Sequence, residues 1–208
     1  VIDMIPRWCD LGITVSLGHC NPSYGDIQKA VDAGARMSTH LGNGCAQYIP
    51  RLKNPILYQL SEDRLHASFI ADGIHLNKHA LKVFIKAKED KRTILVSDAT
   101  AGSCAKPGKY TLGDIILERQ QEDIVYIPGT KNLAGSASSL SQCVINVLDW
   151  FKIPFEKVIR WSSEHPKSII GLSETPRVGE RIEWIEWKKM NKTWKIHKVH
   201  FGEWEIIP

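Results

Sequence analysis

The chain has 208 residues, enough to bury one good core with a small appendage. Its formal charge of +4, from 27 Lys+Arg against 23 Asp+Glu, is mild and scattered. That balance argues against a nucleic-acid partner and suits an anionic small-molecule substrate. No run of about 18 apolar residues suggests a membrane span, and the start carries no signal-peptide pattern. The sequence opens with Val1, directly in domain-like sequence, so an upstream portion is expected. The cysteines (Cys9, Cys20, Cys45, Cys104, Cys143) are odd in number and lack CxxC spacing. They argue against a disulfide framework and fit a reducing, cytoplasmic compartment. Cys20 and Cys45 each lie near a histidine, but their spacing matches no zinc-finger pattern, and free thiols are the expected role.

In chain order, "ITVSLGH" (13–19) reads as a buried strand. "YGDIQKAVDAGA" (24–35) follows as a helix, with Ile27, Ala30, Val31 and Ala35 at helical spacing and Gly34 near its end. "RMSTHL" (36–41) is a second strand and "ILYQLSEDRL" (56–65) a second helix. "HASFIADGIHL" (66–76) supplies a third strand running into a loop. "NKHALKVFIKAKE" (77–89) is an amphipathic helix, with Leu81, Phe84 and Ile85 as its stripe and Lys88 on the rim. "RTILVSDA" (92–99) is an apolar strand ending in Asp98. Four strand–helix units predict parallel strands with crossover helices.

The rhythm then breaks. "KYTLGDIILERQQEDIVYIPG" (109–129) looks like an inserted hairpin. "SASSLSQCVINVLDWF" (136–151) and "PFEKVIRWSSEHPKSIIG" (154–171) read as two helices, with Pro154 in the first turn of the second. From residue 173 an aromatic-rich alternation with turn-like Asn191 and Gly202 predicts a small antiparallel β-unit. Its Lys188–Lys198 stretch, interleaved with tryptophans, is read as solvated strand faces. The expected organisation is a partial barrel over 1–172, with a hairpin insertion at 106–128, and a small β-domain segment over 173–208.

His19, His40, His75 and Asp98 each fall at or just beyond the end of a predicted parallel strand. Such ends converge on one face of a (β/α) barrel. Imidazoles and a carboxylate gathered there can form a hydrolytic metal site, since imidazole suits zinc or iron and a carboxylate can handle a water's proton. One strand-end histidine alone is more often structural. Four polar residues at matching places in successive units are harder to explain by packing.

The sequence resembles the N-acetylglucosamine-6-phosphate deacetylases of the amidohydrolase superfamily. The resemblance rests on "LGHC" with Asn21, "AVDAGARMSTHLGNG", "FIADGIHL", "LVSDAT", "LAGSASSL" and "SSEHPKSIIGL", in the family's order and at similar intervals. It implies an α/β fold, the second half of a (β/α)8 TIM-type barrel, plus part of a small C-terminal β-domain. It also implies metal-dependent hydrolysis of N-acetylglucosamine 6-phosphate to glucosamine 6-phosphate and acetate. By position, His19 and His40 match two ligands of a divalent metal, zinc first, with iron, cobalt, manganese or nickel as alternatives. Asp98 matches the general acid/base that takes a proton from the attacking water and delivers one to the leaving amine. His75 matches a substrate-contacting histidine. Asn43, the backbone of Gly44, and Arg51 match the phosphate-holding positions, and Leu133, Ala134, Gly135 and Ser136 match the loop near the acetyl group. The family's arginine reaches the neighbouring subunit's site, which implies a homodimer.

Several features depart from the family pattern. A metal-ligating glutamate from an earlier strand and an upstream histidine have no counterpart. Gly44, Cys45 and Leu140 stand where alanine, methionine and methionine are usual. A fragment of a longer protein, a partner chain carrying the front half, and a degenerate product are the three explanations, of which the first is favoured. Two other functions stay open: an amidohydrolase acting on a different amide, and a non-catalytic sugar-phosphate-binding homologue.

Overall fold

The computed structural model describes residues 1–121, 124–172 and 178–208. The chain starts with a short 3-10 turn, Ile2–Met4, and helix α1, Ile5–Asp10. Four parallel strands follow, β1 (Ser16–Leu17), β2 (Met37–Ser38), β3 (His66–Ile70) and β4 (Thr93–Val96), hydrogen-bonded in the order β1-β2-β3-β4. Crossover helices α2 (Tyr24–Asp32), α3 (Pro55–Ser61) and α4 (Lys78–Lys88) connect them. Each sequence-predicted strand–helix unit is therefore present, but β1 and β2 are only two residues long.

Local chemistry sets where these helices begin. Ser23 and Asp26 form a reciprocal capping box at α2: the Asp26 N–H donates to Ser23 Oγ (3.2 Å) and the Ser23 N–H to Asp26 Oδ2 (3.0 Å). Asn54 Oδ1 caps α3 by accepting from the Ile56 and Leu57 N–H groups, with Pro55 in the first turn. Asn77 caps α4 in the same way. Gly34 ends α2 at φ +121°, and a Cβ there would lie 2.6 Å from Cys9 Sγ. Glycine is required both for the backbone and for the approach of α1.

Period-two alternation splits β3 between two faces. Ala67, Phe69 and Ala71 join Leu81, Ile85, Leu95, Val144, Val158 and Trp161 in the main core between sheet and helices. Ser68 turns to the opposite face, where its hydroxyl accepts from the His40 N–H (2.7 Å) and donates to the Ser38 carbonyl (3.2 Å).

Strands β5 (Gly108–Leu112), β6 (Ile115–Arg119) and β7 (Val125–Tyr126) form an antiparallel three-stranded sheet, one strand more than a hairpin. Helix α5 (Leu140–Phe151), capped by Ser139, contributes the second wall of the main core. The next segment is two helices rather than one, α6 (Phe155–Ser162) and α7 (Glu164–Ile169). Pro166 lacks an N–H, and its ring opposes the carbonyl four residues back, at Ser162, where α6 stops. Pro154 is the residue before α6, and its carbonyl accepts from Lys157 and Val158.

Strands β8 (Trp184–Met190), β9 (Thr193–Phe201) and β10 (Trp204–Ile206) form the last antiparallel sheet. Trp194 stacks on Phe155 with ring centroids 3.9 Å apart, which anchors this sheet to α6. The expected division between residues 172 and 173 falls on 173–177, outside the described residues. No helix among the described residues is long and apolar enough to cross a membrane.

Candidate active site at the strand ends

All four strands leave the sheet at one edge, and the residues following them carry the chemistry. His19 follows β1, His40 follows β2, Asp72 and His75 follow β3, and Asp98 follows β4. Three of these adopt left-handed backbone: His19 (φ +49°), His40 (φ +30°) and Asp98 (φ +52°). Non-glycine residues rarely hold that conformation, and such strain collects at functional sites.

His19 Nε2 and His40 Nε2 lie 2.9 Å apart, with the rings tilted by 67°. Two imidazole nitrogens, each about 2.0–2.1 Å from one tetrahedral zinc, stand roughly 3.3 Å apart. The pair therefore fits a shared ion. His40 is buried, and its Nδ1 has no hydrogen-bond partner among the described residues. A ligating histidine normally donates from that second nitrogen. Among the described residues, no group of three or more His, Cys, Asp and Glu side chains could hold a metal. Two donors are one fewer than the three protein ligands of a catalytic zinc. Cys20 and Cys45 line a cavity of about 20 Å³ beside His19, room for a single water. Burial pushes the Cys20 thiol up, away from the thiolate a metal requires.

The Gly42–Cys45 turn packs against this pair. Both the Asn43 N–H (3.0 Å) and its side-chain amide (3.1 Å) donate to the His40 carbonyl, so Asn43 braces His40. Gly44, at φ +63°, approaches so closely that a Cβ would lie 2.8 Å from the His19 ring.

A second cluster surrounds Asp98. The Ser136 N–H donates to the Asp98 carbonyl (2.7 Å), and the Thr100 N–H donates to the Ser136 carbonyl (3.2 Å). Thr100 Oγ1 donates to the Ala134 carbonyl (3.2 Å), and Leu133 bridges to Tyr126. Gly135 has φ +70°, and a Cβ there would stand 2.7 Å from the Asp98 carbonyl oxygen. The Asp98 side chain is exposed and makes no hydrogen bond to either imidazole. β1 and β4 are the outer strands of the sheet, so His19 and Asp98 stand at opposite ends of the row.

His75 joins this second cluster through a residue the sequence reading did not single out. Asp72 Oδ2 accepts from His75 Nδ1 (2.6 Å) and from Ser136 Oγ (3.3 Å). The His75 and Asp72 side chains are only 7% and 1% exposed. Burial alone would raise the Asp72 pKa. The His75 ring together with the His75 and Ile74 N–H groups outweighs it and holds the carboxyl below its ordinary value. Arg51 lies apart on an exposed bend, with no side-chain hydrogen bond among the described residues. The signal for Asp72 was present three residues before His75, as the turn-forming Asp-Gly pair of "ADGIH". Nothing local marks Ser68, and Ser136 is marked only by the resemblance of its loop, not by its bond to Asp72.

No family model matches the chain. It is 35% identical over 175 residues to N-acetylglucosamine-6-phosphate deacetylase of Bos taurus, and 33% identical over 172 residues to that of Danio rerio. Those matches cover 79% and 78% of this chain and 41% of each relative, so the chain spans less than half the length of both. A crystal structure of the Pasteurella multocida deacetylase superposes with a TM-score of 0.83 at 25% identity, over 95% of this chain and 52% of that one. The four parallel strands are thus the second half of a (β/α)8 barrel. By sequence and fold alike, the chain matches the C-terminal half of the N-acetylglucosamine-6-phosphate deacetylases.

Proposed function

We propose that the protein carrying this chain hydrolyses the acetamide of N-acetylglucosamine 6-phosphate, releasing acetate and glucosamine 6-phosphate in amino-sugar catabolism. The observation that carries this reading is the His19–His40 pair, Nε2 to Nε2 at 2.9 Å on left-handed backbone at adjacent strand ends. His19 and His40 would hold a divalent metal, zinc first, with at least one further ligand from outside these residues. When bound, the ion supplies a Lewis acid and a water that is nucleophilic at neutral pH. Asp98 takes the proton of the attacking water and delivers one to the amine nitrogen as the C–N bond breaks. His75 contacts the sugar, and Leu133, Ala134 and Gly135 line the acetyl group. Asn43, the Gly44 backbone and Arg51 hold the phosphate. The exposed, unengaged Arg51 suits a reach across a homodimer into the neighbouring site. The free cysteines support a reducing, cytoplasmic setting.

Metal analysis of the purified full-length protein with an acetate-release assay tests this. Stoichiometric metal and turnover are expected, both lost in His40→Asn. Turnover without metal, or intact metal binding in His40→Asn, overturns it. Arg51→Ala should mainly raise KM for the phosphorylated substrate; an unchanged KM points to a different amide. A second reading, sugar-phosphate binding without hydrolysis, is favoured by the lack of a third donor among the described residues. Binding of N-acetylglucosamine 6-phosphate with no acetate release would select it.

A further inference from the structure

We propose that Asp72 is a positioning residue that fixes the tautomer of His75 and ties it to the loop holding Asp98. The inference rests on the deacetylase reading above for its kinetic consequence, but not for its structural one.

The carboxylate is fully engaged. Oδ1 accepts from the Ile74 and His75 N–H groups, both at 2.9 Å, and Oδ2 accepts from His75 Nδ1 and Ser136 Oγ. An ionised carboxylate offers about four acceptor positions, and four donors fill them. Two of these are the backbone bonds of an ordinary Asx turn. The other two come from side chains, one across a loop and one 64 residues away. A turn alone needs neither.

Because Oδ2 can only accept, the proton between it and the ring belongs to Nδ1. Neutral His75 then presents Nε2 as a bare acceptor, and Nε2 makes no hydrogen bond among the described residues. It is free to take a hydrogen bond from a hydroxyl or amide N–H of the substrate. Ser136 carries the connection onward. Its hydroxyl donates to Asp72, and its backbone brackets Ala99, the residue after Asp98, through the Asp98 carbonyl and the Thr100 N–H. One carboxylate therefore sets the ring orientation on the third strand and steadies the end of the fourth.

Asp72→Asn separates this role from a merely structural one. The amide oxygen can keep both backbone bonds, while the amide nitrogen faces Nδ1 and can only donate. His75 must then accept at Nδ1 and carry its proton on Nε2. Ring-nitrogen NMR of the full-length protein should report Nδ1–H for His75 in the wild type and Nε2–H in Asp72→Asn. The kcat/KM for acetate release should fall roughly 10- to 100-fold, the usual consequence of removing such an orienting partner. Ser136→Ala should keep the Nδ1–H tautomer with a smaller loss.

An Nε2–H tautomer in the wild type overturns the proposal, even if Asp72→Asn does not fold. So does an Asp72→Asn variant that folds and turns over like the wild type, an outcome that leaves the deacetylase reading standing. The expected tautomers with no acetate released by either protein would sink that reading and leave the role of Asp72 in place.

Discussion

At Gly135 two requirements coincide, since the backbone is left-handed and a Cβ would lie 2.3 Å from Thr100 Cγ2. Alanine there meets both the strain of positive φ and a clash that includes the Asp98 carbonyl oxygen, neither relieved by a rotamer change. Gly135→Ala should cost roughly 1–3 kcal/mol by denaturant unfolding and lower acetate release by displacing Asp98; unchanged stability and turnover would show the contact to be loose. The histidines and carboxylate that were legible in sequence share a place, at or just beyond the end of a predicted strand, and His19, His40, His75 and Asp98 all hold it. Ser68 does not, and Ser136 is reached only through the resemblance of its loop. Ser68 acts on a backbone 28 residues away, and Ser136 on a carboxylate 64 residues away. No local pattern encodes such pairings.

Helix α4 shows where element-level periodicity misleads. Lys88 sits at the edge of the predicted stripe, yet it is only 2% exposed, and its ammonium donates to the Glu62 carbonyl at the end of α3 (2.7 Å). Burial pushes its pKa down to about 8. Between about 8 and the unfolded value near 10.4, the unfolded chain keeps a proton that the folded protein has lost. Lys88 therefore makes stability rise with pH across that window. Urea midpoints should climb from pH 7.5 to 9.5 in the wild type and do so less in Lys88→Met; parallel profiles would count against the buried ammonium. The short strands have a related explanation. β1 and β2 were expected to run six or seven residues, but the ladder stops two residues before each of the left-handed His19 and His40. Periodicity reports which residues are apolar, and the turn into the site cuts the hydrogen-bonded part short.

Across the whole molecule, unsatisfied surface accompanies the half barrel. β1 is an outer strand, flanked by an apolar groove of about 350 Å³ lined by Ile2, Ile5, Trp8, Val15 and Leu17. On the last sheet, Phe201, Trp204 and Ile206 are all more than half exposed. Open edges and contiguous apolar patches promote association. The isolated 208-residue chain should elute as oligomers at micromolar concentration and scatter light accordingly; a monodisperse monomer would show these surfaces to be harmless. Architecture at this scale was readable because each strand–helix unit declares itself in sequence, whereas the packing of Trp194 on Phe155 joins segments that share no local pattern. The left-handed turns at His19, His40 and Asp98 carry a consequence for how this protein would respond to selection. Glycine and asparagine occupy such backbone with less strain, so a lineage released from chemistry would drift toward them at these three positions. Screening random variants for heat resistance alone should recover those replacements early, as hardier proteins with an idle centre.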